Sequence, residues 1–552
     1  MLANTPLSAH NPNATTKVVA LMVFIFMLIL AAVPGIHAVR GVQWGADIDF
    51  FRDEAFVRTL LEGHYGADPI YRGEHLWYTP LIFTIEAGLC KLSGLPPEVL
   101  LVRAGAWLIL LAPISFFGMV WYFRGPVTAV FATAVYLFFA AGQQQGWAVA
   151  TYTPWLFPVC FIQAFFYLDL VLIHRAFRTQ RWWPSILAGF AAGITFLGHA
   201  APGIIAVLLI VLMTAWDIRR SWREGDRKSA QARYFSSFMA ALSFIIASLP
   251  LLWYIVGCYS LHMVNRAPFL FTYYALTLRE FPLFLFHNIN WVNLAGLGGL
   301  VIALAELWRA RGKTAGILVL WFFIALALFL YGYAVSVLDM YYGIRLPGTT
   351  PTVHYYFYMK AALSVFTGVL IVRIIGWIAP TITWLARIRS TDGSSIIPAG
   401  AMILLVIPIV LCFPSYVHRK DLFLQRANCI RYGEDTARTA AFAWLRQDMT
   451  WNDVVLSNAD LSCFPVMASG RHMVVSVNTM PNPYVDHVGR VRDRDCMFAA
   501  LSGKPEGDPA LFGKYEVTHL LVTTGEDSLM VDRSRWFPHE LHRNGSYVLY
   551  SR

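Results

Sequence analysis

The chain has 552 residues, of which 57% are hydrophobic and 14% charged, with a formal net charge of +10. A soluble domain of this length carries about a quarter charged residues, so composition excludes an ordinary soluble protein. Ser415–Arg552 holds 16 basic and 16 acidic residues, so the whole positive excess lies in the apolar remainder. That placement suits cytoplasmic loops and lipid phosphates and excludes nucleic acid as a partner.

Apolar runs of 15 to 26 residues recur from Val18 to Phe413, close to the ~20 residues that span a ~30 Å hydrocarbon core. In lipid the backbone must satisfy its own hydrogen bonds, so these runs are predicted to be helices. The first, Val18–Val39, follows a single Lys17. Its alternative is a signal peptide cleaved near Ala38; either way, the next segment lies outside the cytoplasm.

That segment, residues 37–76, is densely charged. From Phe50 to Glu62, apolar Phe50, Phe56, Val57, Leu60 and Leu61 recur at helical spacing, with Arg52, Asp53, Arg58 and Glu62 away from them. The pattern predicts an amphipathic helix lying on the bilayer surface, stopped by Gly63. Asp47 and Asp49 stand just before it. Asp49 is also the natural N-cap, a role that would hold its carboxylate in place.

Three apolar segments follow, 77–93, 98–123 and 126–141, between two loops that should both be external. An even number of crossings is required there, so one segment must be re-entrant or interfacial. Beyond them, the connectors His174–Arg181, Asp217–Arg233, Glu306–Lys313 and Arg387–Asp392 are basic, which places them in the cytoplasm. Spans are predicted at about 155–173, 185–199, 201–216, 234–256, 285–305, 315–337, 353–378 and 396–413. The total is near eleven, and the last crossing puts the tail outside.

Three stretches on the external side carry cations: His262–Arg279, which includes Arg266, Asp339–Arg345, and His354–Lys360. Lys360 lies inside an apolar run, where an ammonium is costly and a functional role is the default expectation. Its alternative is snorkelling to the interface. His354 and Tyr355 precede it, and His199 sits between two short spans as either a helix-terminal residue or a substrate contact.

The tail reads as a small α/β domain. A helix is expected at Thr436–Met449 and strands at Val454–Leu456, Met473–Val477, His519–Val522 and Tyr547–Tyr550. Of seven cysteines, Cys429, Cys463 and Cys496 fall in the tail, where one disulfide is possible and its pairing open. The chain thus divides at 1–414 and 415–552.

The order Asp49-Phe50-Phe51, Leu60-Leu61-Glu62-Gly63, Asp68-Pro69-Ile70-Tyr71, Tyr78-Thr79-Pro80-Leu81 resembles the first-loop pattern of the GT-C superfamily of membrane glycosyltransferases. Trp444-Leu445, Ala468-Ser469-Gly470-Arg471 and the final Tyr-rich strand are similar to external domains of bacterial cell-wall arabinofuranosyltransferases. The resemblance implies an α-helical polytopic membrane protein of the GT-C type with a small C-terminal extracytoplasmic α/β domain, in a plasma (inner) membrane. It implies a glycosyltransferase, hexosyl or pentosyl, acting with inversion on a polyprenyl-phosphate sugar donor and a glycan, lipid or protein hydroxyl acceptor. Asp49 is then the general base, with Asp47 second. Lys360, Arg266, Arg345, His354, Tyr355 and His199 are the candidate substrate contacts, with cations among them stabilising the departing phosphate. No WWDYG motif occurs, which argues against whole-oligosaccharide transfer to asparagine and against that branch's divalent metal; no cofactor is expected. The alternative from another class is a transporter or lipid flippase, but no internal repeat supports it.

Overall fold

The computed structural model describes residues 14–139, 151–179, 181–266, 291–310, 313–348, 350–385, 393–419, 422–459, 461–478 and 480–552. Two compact units emerge, each built from three stretches of chain. The first comprises Met1–Ala38, Gly105–Ala247 and Leu276–Phe423; the second comprises Val39–Ala104, Ser248–Ala275 and Leu424–Arg552. The first loop therefore belongs to the same unit as the C-terminal domain.

The first unit is helical. Among the described residues of the whole chain, nine helices are long and apolar enough to cross a membrane, and two further apolar helices are shorter. The shorter ones are Pro126–Phe139 and Trp183–Gly198, both below the ~20 residues a perpendicular crossing needs. The long ones overrun the predicted spans: helix α10 (Ala200–Arg223) and helix α11 (Arg227–Leu252) carry the basic connector on their own ends. Arginines there can extend to a membrane surface while the helix stays regular. The connector Arg387–Asp392 and the expected external loop after the segment 126–141, at Gln143–Gln145, lie outside the described residues.

Of the three segments that follow the first loop, helix α3 (Leu81–Ser93) is only 13 residues, about 20 Å at 1.5 Å per residue. That is too short to cross. Pro80 precedes it and Gly94, at φ +70°, ends it. It stacks Phe83 on Phe56 of helix α2 (Ile48–Leu61) at 4.8 Å, so its apolar face is spent on protein. This first of the three segments is thus packed against the first loop, while Pro126–Phe139 is also shorter than a full span.

The second unit centres on a mixed five-stranded sheet of order β2-β1-β3-β5-β4. The strands are β1 Val454–Leu456, β2 His472–Met473, β3 His519–Thr523, β4 His539–Arg543 and β5 Tyr547–Ser551. β1 runs parallel to β2 and β3, while β5 is antiparallel to β3 and β4. Side chains alternate across the faces as strand geometry requires. Leu521, Leu549 and Val455 enter one core, with Phe442 and Leu445 of the helix Thr436–Asp448. Leu520, Val522, Val548 and Tyr550 enter the other, with Met497 and Leu501 of the helix His487–Leu501.

The expected strands at 454–456, 519–522 and 547–550 form as predicted. The one expected at Met473–Val477 shrinks to His472–Met473, and β4 has no apolar alternation in sequence to announce it. Cys429 and Cys496 are free thiols; the Cys463 side chain lies outside the described set.

The first core also takes in Trp44, Phe51, Ala55, Ile70 and Tyr71 of the first loop. Helix α2 is consequently not a surface helix with a wet polar side. Phe50 through Thr59 are all buried, including Arg52, Asp53, Glu54 and Arg58. The periodicity was legible, but the polar stripe faces protein instead of water.

Candidate active site

Helix α2 ends cleanly because Gly63 (φ +89°) turns the chain, and begins at Asp47, not Asp49. Asp47 has extended backbone (φ −111°, ψ 145°), and its side chain accepts the Asp49 amide N–H at 2.9 Å. The capping role expected of Asp49 therefore falls on Asp47, because only the residue outside the first turn can turn its carboxylate back to the free N–H groups. Asp49 stands inside the first turn, where the positive end of the helix favours a carboxylate. Its Oδ1 lies 2.9 Å from Arg52 Nη1 and its side chain is 16% exposed.

Arg52 is the hub of this corner. Its Nε and Nη2 both donate to Asp53 Oδ1, at 2.8 and 2.6 Å. Nη1 also reaches Met480 Sδ at 3.4 Å, and the guanidinium lies 4.3 Å from the centre of the Tyr78 ring. Asp53 is 2% exposed, so Asp49 is the carboxylate of this pair that meets the outside. Burial, then the charge of Asp49, pushes Asp47 up to about 6, against the opposing pull of its hydrogen bond from Asp49 N–H and of Arg52.

Two more ionic clusters fix the rest of α2. Arg58 binds Glu54 at 2.6 Å and Glu98 at 2.5 Å, and donates to the Ala468 carbonyl at 3.0 Å. Glu62 accepts from Arg446 at 2.5 Å and Arg471 at 3.0 Å. Burial alone would raise Glu62, but the hydrogen bond from Arg446 and the charge of Arg471 hold it below its usual value.

The following loop is pinned by Asp68. Its carboxylate accepts from Ile70 N (2.7 Å), Tyr71 N (3.3 Å) and Asn482 Nδ2 (2.8 Å). Burial nevertheless pushes Asp68 up to about 7. Gly66 (φ +79°) is required there, since a Cβ would sit 1.8 Å from the Tyr254 hydroxyl.

The remaining sequence candidates are placed as follows. Arg266 is half-buried at the end of a segment whose Val264 and Asn265 N–H groups donate to the Pro483 carbonyl. In the other unit, His199 is the N-cap of α10, its Nδ1 accepting from Ala201 N at 3.2 Å. Its ring lies 4.5 Å from that of His354, so the two histidines come together. Tyr355 is fully buried.

Lys360 is only 5% exposed, with Nζ 4.6 Å from the centre of the Tyr356 ring. It is a buried cation packed on an aromatic face, not one that snorkels to the surface. Arg345 is exposed, and Tyr273, Tyr274 and Arg279 lie outside the described residues.

Among the described residues, no three His, Cys, Asp or Glu side chains gather as a metal ligand set. Reasoning from sequence missed Arg52 and Tyr78 as neighbours of Asp49. The signal available was the Asp49/Arg52 spacing of three, which puts both on one helical face.

No protein-family model and no curated protein matches the chain. Solved structures do. The archaeal oligosaccharyltransferase AglB from Archaeoglobus fulgidus, in complex with an inhibitory peptide and a dolichol-phosphate, matches with a TM-score of 0.57 at 10% identity. That match covers 93% of this chain and 70% of AglB. ArnT from Cupriavidus metallidurans, bound to undecaprenyl phosphate, matches with a TM-score of 0.53 at 12% identity, covering 96% of this chain and 97% of ArnT. Agreement along nearly the full length of this chain, at identities that speak for architecture alone, shows that it shares the fold of these two structures.

Proposed function

We propose that the protein is an inverting glycosyltransferase that moves a sugar from a polyprenyl-phosphate donor to a hydroxyl acceptor on the extracytoplasmic side of a plasma membrane. The observation that carries the reading is Asp49, part-exposed in the first turn of α2 and held by Arg52 at 2.9 Å, in a chain with the GT-C fold. The bound dolichol-phosphate of AglB and undecaprenyl phosphate of ArnT support a lipid phosphate as leaving group.

In the step proposed, the Asp49 carboxylate takes the proton of the acceptor hydroxyl as its oxygen bonds to the anomeric carbon. The bond from that carbon to the phosphate oxygen breaks, and the pair leaves with the polyprenyl phosphate. Arg52, 2.9 Å away, holds the Asp49 carboxylate in position. Asp47 is the second candidate for the base, because a carboxylate that titrates near 6 is well matched to proton transfer at neutral pH.

Phosphate departure needs positive charge. Lys360 takes this role, with Arg266 and Arg345 as further cations; His199, His354 and Tyr355 complete the candidate substrate contacts. The reading uses no divalent metal and no cofactor.

The test is direct: purified protein is given a radiolabelled polyprenyl-phosphate sugar and membrane glycan extract, with and without EDTA. Release of polyprenyl phosphate with label in the acceptor, insensitive to EDTA, is expected; movement of intact donor across liposomes without cleavage would instead make the chain a flippase. The sidedness is checked separately. A C-terminal phosphatase fusion should be active and a C-terminal cytoplasmic-type fluorescent fusion dark; the reverse pattern overturns the proposed orientation.

A further inference from the structure

The second unit holds a cavity of about 540 Å³, away from the Asp47/Asp49 corner in its lining residues and inside the ~300–1,000 Å³ range of small-molecule clefts. Its walls are polar. Of 15 lining residues only Val454, Met473 and Val485 have aliphatic side chains, which disfavours a lipid tail. Four cationic and four anionic side chains line it, so the walls carry no net charge.

Much of that charge is already matched. Arg72 pairs with Glu516 at 2.7 Å and Lys514 with Asp493 at 2.5 Å. Asp493 also accepts the Tyr515 hydroxyl at 2.8 Å. Arg490 Cζ lies 4.4 Å from the centre of the Tyr71 ring and 5.0 Å from that of Tyr515. Tyr484, on another wall, is braced by stacking on Tyr259 at 4.4 Å and 7°. Arg490 has its Nη1 on the Val474 carbonyl at 3.2 Å, and walls with no net charge give an anionic ligand no net attraction. An uncharged polyol suits such walls, because each hydroxyl both donates and accepts and can bridge a matched cation and anion. Tyrosine rings supply apolar faces for the C–H side of such a ligand.

We infer that this cavity binds uncharged sugar residues of the acceptor glycan, an assignment that rests on the transferase reading for the word acceptor but not for the binding itself. The site holds the glycan at a distance from the reacting hydroxyl. It therefore favours acceptors longer than a monosaccharide.

The test uses full-length protein in a sugar-free detergent, with saturation-transfer NMR and calorimetry. The probes are neutral hexamers of glucan, xylan and arabinan, with oligogalacturonate as the charged counterpart. At least one neutral hexamer should bind, with affinity falling at least tenfold in Tyr484→Ala and in Arg492→Ala. The second variant guards against misfolding, since the Arg492 side chain is 79% exposed; Tyr484→Phe should retain binding.

Three results overturn the assignment: no neutral hexamer binds, oligogalacturonate binds better than all of them, or both alanine variants bind like wild type. Binding without any transfer activity would sink the transferase reading and leave the cavity standing. Transfer without binding would do the opposite.

Discussion

Arg52 Nη1 lies 2.9 Å from Asp49 Oδ1, while two other nitrogens of the same guanidinium grip Asp53. One buried fork thus orients an accessible carboxylate by anchoring itself on an inaccessible one. The geometry is fixed before any substrate arrives.

Asp49→Asn keeps the shape of the side chain but cannot take a proton. Turnover should fall by about 10²–10⁴-fold with the melting temperature almost unchanged. Asp47→Asn should retain the cap, whereas Asp47→Ala should cost on the order of 1 kcal/mol. An inflection near pH 6 in the activity profile should vanish in Asp47→Asn, because burial and the neighbouring charge raise that group to about 6. A dead Asp47→Asn beside an active Asp49→Asn would reverse the two roles.

Arg52→Ala should be structurally severe. It strands Asp53, 2% exposed, as a buried unpaired charge, a change typically worth about 3–5 kcal/mol. Adding Asp53→Asn should recover much of the thermal stability but not the turnover, since Asp49 still lacks its partner. Recovery of both would show that Arg52 serves the fold alone.

Asp68 predicts a pH dependence of stability. Its folded value near 7 lies above the ~3.9 of an unfolded chain, so the folded state binds the extra proton. The stabilisation is full below about pH 4 and is lost as pH rises towards 7. Thermal melts of wild type and Asp68→Asn between pH 4 and 8 should show their difference shrinking or reversing over that window, by a few degrees. A difference independent of pH would mean that Asp68 is ionised throughout.

Lys360→Ala should weaken binding of the lipid-phosphate donor. A hydrogen bond to a charged group is worth about 1.5–3 kcal/mol, or roughly 10–100-fold in affinity. Lys360→Arg should restore part of it, and the protein should still purify folded. Unchanged donor affinity in the alanine variant would leave Lys360 as a packing partner of Tyr356 only.

The sequence alone determined that the chain is a polytopic helical membrane protein, that charge gathers in residues 37–76, and that the tail alternates helix and strand. These follow from local composition and period, since lipid tolerates only backbone satisfied within its own segment, and β1, β3 and β5 alternate across two cores. Asp49 could be singled out from its neighbours in the chain. Which aspartate caps α2 was decided by one residue of helix boundary, a margin no propensity resolves.

Tertiary structure decided the rest. The polar face of α2 looked wet because Arg52, Glu54 and Arg58 are charged. Arg52 pairs with Asp49 and Asp53, and Arg58 with Glu54, within the helix, but the further partners Met480, Glu98 and Ala468 of the two arginines are 40 to more than 400 residues away in the chain, beyond the reach of any periodicity. The same holds for Asp68, whose burial depends on Asn482, and for the cavity, whose walls come from both the first loop and the tail. Local ion pairs and long-range packing together turned solvated-looking charges into a buried scaffold, because an ion can leave water only when its partner comes with it.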